Sequence, residues 1–357
     1  MRARWIIVAL ALAASGCASG TIRGTMHYHP EQGEQARQLV WPSPPDVPRY
    51  SYFGDLLGAQ NFRTDEELKQ GAQGVLFAIL GVFSQAEEPV VLQRPQSGVV
   101  DEQTGRIYVT DVSRGAVYVF DEKEGELQVW EQAEGLTRFD SPTGIALGRG
   151  GEILVADSVL KAVYRLDSKG KPVGVIGKGV LTRPVGVTRD PARGVVYVVD
   201  TQAHDVKTFS DEGELLSVIG HRSDKSGGLN FPTYASFVRG ELYVADTMNS
   251  RIQVFSAEGD PVRSLGQRGL FVGNLVRPKG IGVDDEGNVY VVESYYDHLL
   301  VFSPEGQFLM GIGGNGVAPG RFYLPAGVWV DSRNRVFVAD MFNGRIAIFQ
   351  FLGGRDG

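Results

Sequence analysis

Few residues of this 357-residue chain belong to the types that carry chemistry, and their spacing narrows what they can do. Cys17 is the one cysteine, so no disulfide forms within the chain. Of the five histidines, His27 and His29 flank Tyr28 with no third ligand nearby, and His204, His221 and His298 share no common spacing. Carboxylates do recur: Asp111, Asp157, Asp200, Asp246, Glu293 and Asp340 each close an apolar, β-branched run. A carboxylate at a strand end accepts N–H bonds from the following loop and pairs with arginine, which is a structural role. The catalytic alternative, a base or metal ligand, is best served by Glu293, the only glutamate of the set. No nucleophile elbow, P-loop, H-E-x-x-H or C-x-x-C occurs, and the pattern assigns no catalytic residue, cofactor or metal site.

Two further groups stand out. Arg94, Arg183 and Arg277 each precede a proline that opens a strand, where the other units carry Ser141, Phe231 and Leu324. Three guanidiniums in alternate units of a ring either surround an anion or pair with the carboxylates. Tyr295, Tyr296 and His298, with Met341 and Phe342, and Phe271 and Tyr323 in loops, form an aromatic-rich sector. Such side chains stack on sugars, anchor a protein partner, or pack into the core.

The elements that position these residues are set by a repeat. Pro95, Pro142, Pro184, Pro232, Pro278 and Pro325 open six units whose spacings, by subtraction, run from 42 to 48 residues. Within each unit a strand, a Gly turn, a second strand ending at the carboxylate, a polar loop, a third strand and a further Gly turn lead to a fourth strand. Third strands end at Phe120, Leu166, Phe209, Phe255, Phe302 and Phe349, so the register holds throughout. Four short strands that cannot bury both faces alone form a stacking unit. The expected fold is all-β: a six-bladed β-propeller of four-stranded antiparallel blades. Alternate turns of a meander lie on alternate faces, so the acid loops and inter-blade loops share one face and the Gly turns the other.

The motifs P-x-G-(I/V), (I/V)-Y-V-x-D and N-x-R-I-x-(V/I)-F, fullest around Asn249-Arg251 and Asn343-Arg345, resemble the NHL repeat over roughly residues 89 to 357. The chain departs from N-x-R at Arg114, Lys161, His204-Asp205 and Asp297-His298. The resemblance implies a propeller that binds a partner through its variable loops. Some relatives with such repeats are metal-dependent lyases, and related six-bladed folds are lactonases. A metal-dependent lyase or hydrolase at the channel mouth is therefore the alternative.

Residues 1–17 resemble a bacterial lipoprotein signal: Arg2 and Arg4, an apolar run from Trp5 to Ala14, then Ala14-Ser15-Gly16-Cys17, with Cys17 as the acylated residue. Ala18 in place of Asp leans the expected anchor toward the outer membrane of the cell envelope. Residues 18–48, polar and proline-bearing, read as an extended tether. Residues 49–58 look like an isolated fourth strand, and the last unit lacks one, so the chain's two ends are expected to complete the sixth blade. Between them and Pro95, residues 64–84 carry a Thr64/Glu67 capping box and helical periodicity, giving one short N-terminal helix. A formal net charge of −7 argues against nucleic acid. The expected protein is a monomer held at the membrane only by its lipid, with a protein or glycan of the envelope as partner.

Overall fold

The computed structural model describes residues 21–28, 39–63 and 90–353, so Cys17 and the helix expected over 64–84 lie outside the described residues. Val-, Ile- and Tyr-rich runs pair as antiparallel meanders because each is bounded by turns that reverse the chain. Blade one comprises Pro95–Asp101, Arg106–Asp111, Ala116–Asp121 and Glu126–Trp130, in that order from the axis outward. Blades two to five repeat the plan, with first strands Pro142–Leu147, Pro184–Asp190, Ala235–Val238 and Pro278–Val283. Blade six takes Val328–Val330, Arg335–Asp340 and Arg345–Phe351 from the C-terminal end, and its fourth strand is Tyr50–Leu56.

The core lies between blades rather than within them. Six apolar clusters occupy the six blade-to-blade interfaces; the one joining blades six and one contains Ile107, Tyr118 and Phe120 from one side and Phe337, Ile346 and Ile348 from the other. Leu56 of the N-terminal strand belongs to that same cluster, so the ring is sealed by both ends of the chain. Near the axis the P-x-G glycines decide how tightly the first strands approach. A Cβ on Gly186 would lie 2.7 Å from the Thr233 carbonyl, and one on Gly327 would lie 3.0 Å from the Ser97 Cα. Blade four carries Tyr234 instead, whose ring belongs to the apolar cluster between blades four and five.

The segment 18–48 is not an unpaired tether where it is described. Ile22–Arg23 adds to the outer strand of blade one through Ile22 opposite Leu127, and Val40–Trp41 adds a fifth strand to blade six. Thr25–Met26 pairs with Phe62–Arg63. The reason is edge chemistry: the outer strands of blades one and six offer unpaired backbone groups, and an extended chain passing both satisfies them.

Asn61 ties this belt together. It is fully buried; Nδ2 donates to the carbonyls of His27 and Asp55 at 2.7 and 2.8 Å, and Oδ1 accepts from the N–H groups of Leu57 and Gly58 at 2.7 and 3.1 Å. Asn61→Ala leaves these buried groups unpaired, and urea unfolding should show a loss of about 3 kcal/mol.

Candidate functional site on the loop face

The six repeat carboxylates organise the face that bears the inter-blade loops. Each is fully buried or nearly so. In blade one Asp111 Oδ2 accepts the N–H groups of Gln93 and Arg94 at 2.6 and 2.8 Å, and Oδ1 those of Ser113 and Arg114, both at 3.0 Å. Asp157 repeats this with Asp140, Ser141, Val159 and Leu160. Asp246 and Asp340 bind a guanidinium and an amide instead: Arg251 and Asn249 in blade four, Arg345 and Asn343 in blade six. Burial raises both carboxyls above the usual range, partly offset by these partners. Asp200 is also desolvated, but donors from Thr182, Arg183 and Lys207 outweigh burial and hold it low. Among the described residues Glu293 accepts only backbone N–H groups, from Val276, Arg277 and Tyr295, and burial raises it. The set is structural: each acid holds the segment before the proline, five of them tie it to the loop after the second strand, and Asp200 ties it to Lys207 of the third strand.

The three arginines meet the carboxylates through their backbones only. Arg94, Arg183 and Arg277 give their N–H groups to Asp111, Asp200 and Glu293, while their side chains are exposed on the loop face. Two guanidiniums instead lie over aromatic rings, Arg94 at 5.0 Å from Phe342 and Arg277 at 5.9 Å from Tyr295. Two of the three arginines thus share a surface with the aromatic group, while Arg183 meets none of its rings among the described residues. Tyr295 packs edge-on against Tyr296 at 4.9 Å and Tyr323 tilts against Phe342 at 5.4 Å. Met341 turns toward the axis, where its Sδ accepts from Gln96 Nε2 at 2.8 Å. His298 is half-buried, with Nδ1 2.6 Å from the Tyr296 carbonyl. His204 accepts the Phe231 N–H and packs on that ring, and burial lowers its pKa. His221 is exposed elsewhere in the inter-blade loops. Among the described residues no three His, Cys, Asp or Glu side chains gather as a metal ion would require.

The axial channel holds what the sequence reading missed. It encloses about 490 Å³ between the six first strands and is lined largely by apolar groups such as Ile145, Val187, Phe237 and Trp329. Beside it, Trp329 Nε1 and Tyr234 OH are buried in the inter-blade clusters, with no hydrogen-bond partner among the described residues. At the loop-face end stands Lys279, the residue after the blade-five proline, where the other blades carry Gln96, Thr143, Val185, Thr233 and Ala326. Among the described residues its Nζ meets only Gln96 Oε1, at 3.4 Å, and no carboxylate. Protein surrounds the amine although water reaches part of it, as in a narrow channel, and this desolvation lowers its pKa to about 8. The signal was present: Lys279 is the one charged residue at a position that the P-x-G register turns inward.

Lys279 therefore costs the fold stability in a defined pH window. The folded state disfavours the ammonium, so the penalty is fully present below pH 8 and fades as pH rises from 8 toward the unfolded value of 10.5. With partial water access the penalty is about 2 kcal/mol. Lys279→Met should raise the urea-unfolding free energy by that amount at pH 7, and the gain should shrink as the titration is carried to pH 10.

A family model, DUF5128, described as a 6-bladed beta-propeller, matches residues 274–355. No curated protein sequence matches the chain. Solved structures do. A gluconolactonase from Xanthomonas campestris is 17% identical over 73% of this chain and 86% of that one, with a TM-score of 0.56. An auxiliary nutrient binding protein from Bacteroides thetaiotaomicron is 15% identical, with 74% and 71% covered and a TM-score of 0.59. The nidogen/laminin complex gives 20% identity, 70% and 87% covered and a TM-score of 0.54. At such identities the likeness is one of architecture, and the blade count agrees: this chain is a six-bladed β-propeller.

Proposed function

We propose that the chain is an NHL-repeat propeller of the bacterial envelope, anchored through a lipid on Cys17 and docking a protein partner on the loop face of blades four to six. One observation carries the docking site. Phe231, Phe271, Tyr295, Tyr323 and Phe342 are 42%, 82%, 56%, 45% and 44% exposed, and all lie in inter-blade or acid loops. Among the described residues, the turns of the opposite face in blades one to five contribute no exposed large apolar side chain. Solvated aromatic groups gathered on one face mark an interaction surface, because a monomer gains nothing by holding them there.

The chemistry of the surface describes its partner. Aromatic rings backed by Arg94 and Arg277 present apolar area and fixed cations together, the composition of binding hot spots. A partner with apolar side chains and carboxylates fits it. Cys17 would hold this face within reach of the membrane, with Ala18 leaning the location to the outer one. The binding reading has precedent in the nutrient-binding and nidogen/laminin structures, and the catalytic one in the gluconolactonase. The apolar lining of the channel and the self-satisfied carboxylates favour binding over a reaction at the mouth.

A photo-crosslinking residue in place of Phe271 should give a discrete protein adduct in intact cells. The same residue in place of Leu216, exposed on an outer strand, should not. Tyr295→Ala with Phe342→Ala should weaken the adduct at 271 at least about tenfold, as loss of two aromatic anchors at 1–2 kcal/mol each implies. Equal labelling at both positions, or retention of a glycan rather than a protein, would overturn the reading.

A further inference from the structure

Blades four, five and six share one inter-blade loop design. An isolated parallel bridge joins Arg222 to Leu229, Arg268 to Leu275 and Asn315 to Phe322, and a turn bond runs from the N–H of Gly228, Asn274 and Arg321 to the carbonyls of Lys225, Phe271 and Ala318. In blade four a guanidinium fills the space beneath this loop. Arg251 binds Asp246 at 2.8 Å and reaches the carbonyls of Lys225 and Gly228 at 2.8 and 2.9 Å. In blade six Arg345 does the same with Asp340 and the carbonyls of Ala318 and Arg321 at 3.0 and 2.8 Å.

Blade five keeps the loop and the carboxylate but lacks the cation. Its register pairs Glu293 with His298, where the neighbours pair Asp246 with Arg251 and Asp340 with Arg345. An imidazole is shorter than a guanidinium, and Nδ1 of His298 is already engaged by the Tyr296 carbonyl. The space that an arginine fills elsewhere is here a pocket of about 80 Å³, lined by Phe271, Val272, Asn274, Glu293, Tyr296 and His298. That volume exceeds what one water occupies and admits a small planar cation. Arg277, the nearest arginine in sequence, is turned over Tyr295, and Arg321 is bound to the Gly313 carbonyl. Glu293 is 1% exposed with no cationic partner among the described residues, and that partner is what its sibling acids in blades four and six have.

We propose that the blade-five pocket takes a guanidinium from outside the chain, in the position that Arg251 and Arg345 hold in the adjacent blades. The incoming group places one edge on Glu293 and another toward the carbonyls of Phe271 and Asn274, the fork geometry that suits arginine better than lysine. The exposed Leu270, Phe271 and Val272 surround the aliphatic stem. That the carrier is an arginine side chain of a docked protein rests on the reading of this face as a protein-docking surface; the pocket itself does not.

Agmatine, a guanidinium on an aliphatic stem, tests the pocket without a partner. In wild-type protein it should give saturable shifts of the backbone amide resonances of residues 270–274, with a dissociation constant of about 1 mM. His298→Arg supplies the chain's own guanidinium, so it should abolish the agmatine response and raise the melting temperature. Glu293→Gln should weaken binding at least tenfold. Because His298→Arg restores the pattern of the neighbouring blades, it keeps the test decisive if the glutamate variant does not fold. An unchanged response in folded His298→Arg protein, or no saturable response in the wild type, would overturn the proposal. Agmatine binding without a protein adduct at position 271 would keep the pocket and remove the protein as its carrier.

Discussion

A buried carboxylate at the end of each second strand is the interaction on which the face of this propeller depends. An ionised acid out of water is tolerated only when its lone pairs are filled, and the chain fills them from the segment that starts the same blade. Each acid therefore fixes where a first strand begins relative to the second, which sets the height of every blade about the axis. The same demand is met in different ways. Four backbone N–H groups serve in blades one and two, Lys207 adds a cation in blade three, and an Arg–Asn pair serves in blades four and six. Blade five, like blades one and two, offers its acid only backbone donors among the described residues, and burial raises its carboxyl as it raises those of blades four and six.

Closure is the second constraint, and it reaches further into the N-terminal region than one strand. Tyr50–Leu56 supplies the missing edge of blade six, and Asp55 lies 3.5 Å from the buried guanidinium of Arg345, which also holds Asp340. The seal of the ring and the acid network of the last blade are thus one ionic cluster. Tyr50 OH lies 3.0 Å from Tyr290 OH, which donates to Asp284, so the closing strand is tied to blade five as well. Because a propeller core lies between blades, a loosened sixth blade would uncover two apolar interfaces at once.

The fold was legible because a repeat states its register six times. The prolines, the acids and the apolar residues that end the third strands gave the blade number, and the lack of a fourth strand after Phe349 pointed to the chain's beginning. What stayed hidden was whatever depends on neighbours across the ring. The polar segment before residue 49 carries no strand signature, yet it pairs with two outer edges, because an unpaired edge recruits any extended chain of suitable length. Lys279 was passed over because a single lysine in a strand reads as solvated; only its place after the inward-turning proline makes it axial. Arg94 and Phe342 were singled out separately, and nothing in the linear sequence says that one covers the other.

The proposal of binding at the loop face rests on how freedom is distributed in the molecule. First strands are packed so closely in several blades that glycine is required where they pass, and Gly186 and Gly327 have no room for a methyl group. Change near the axis is therefore expensive. The loops beyond the acids are different: their ends are pinned by the carboxylates, so what lies between them varies without disturbing a blade. Blades four to six use that freedom with three loops of one backbone design and different side chains, Asp224-Lys225, Leu270-Phe271 and Val317-Ala318 at matching positions. The middle loop presents apolar surface, as the blade-six loop also does with Val317, but in the one of these three blades whose register sets a histidine opposite the acid. A buried acid without the arginine of its neighbours and a loop of exposed hydrophobic groups coincide in space there, and the proposed site for a cation carried on an apolar stem rests on that coincidence.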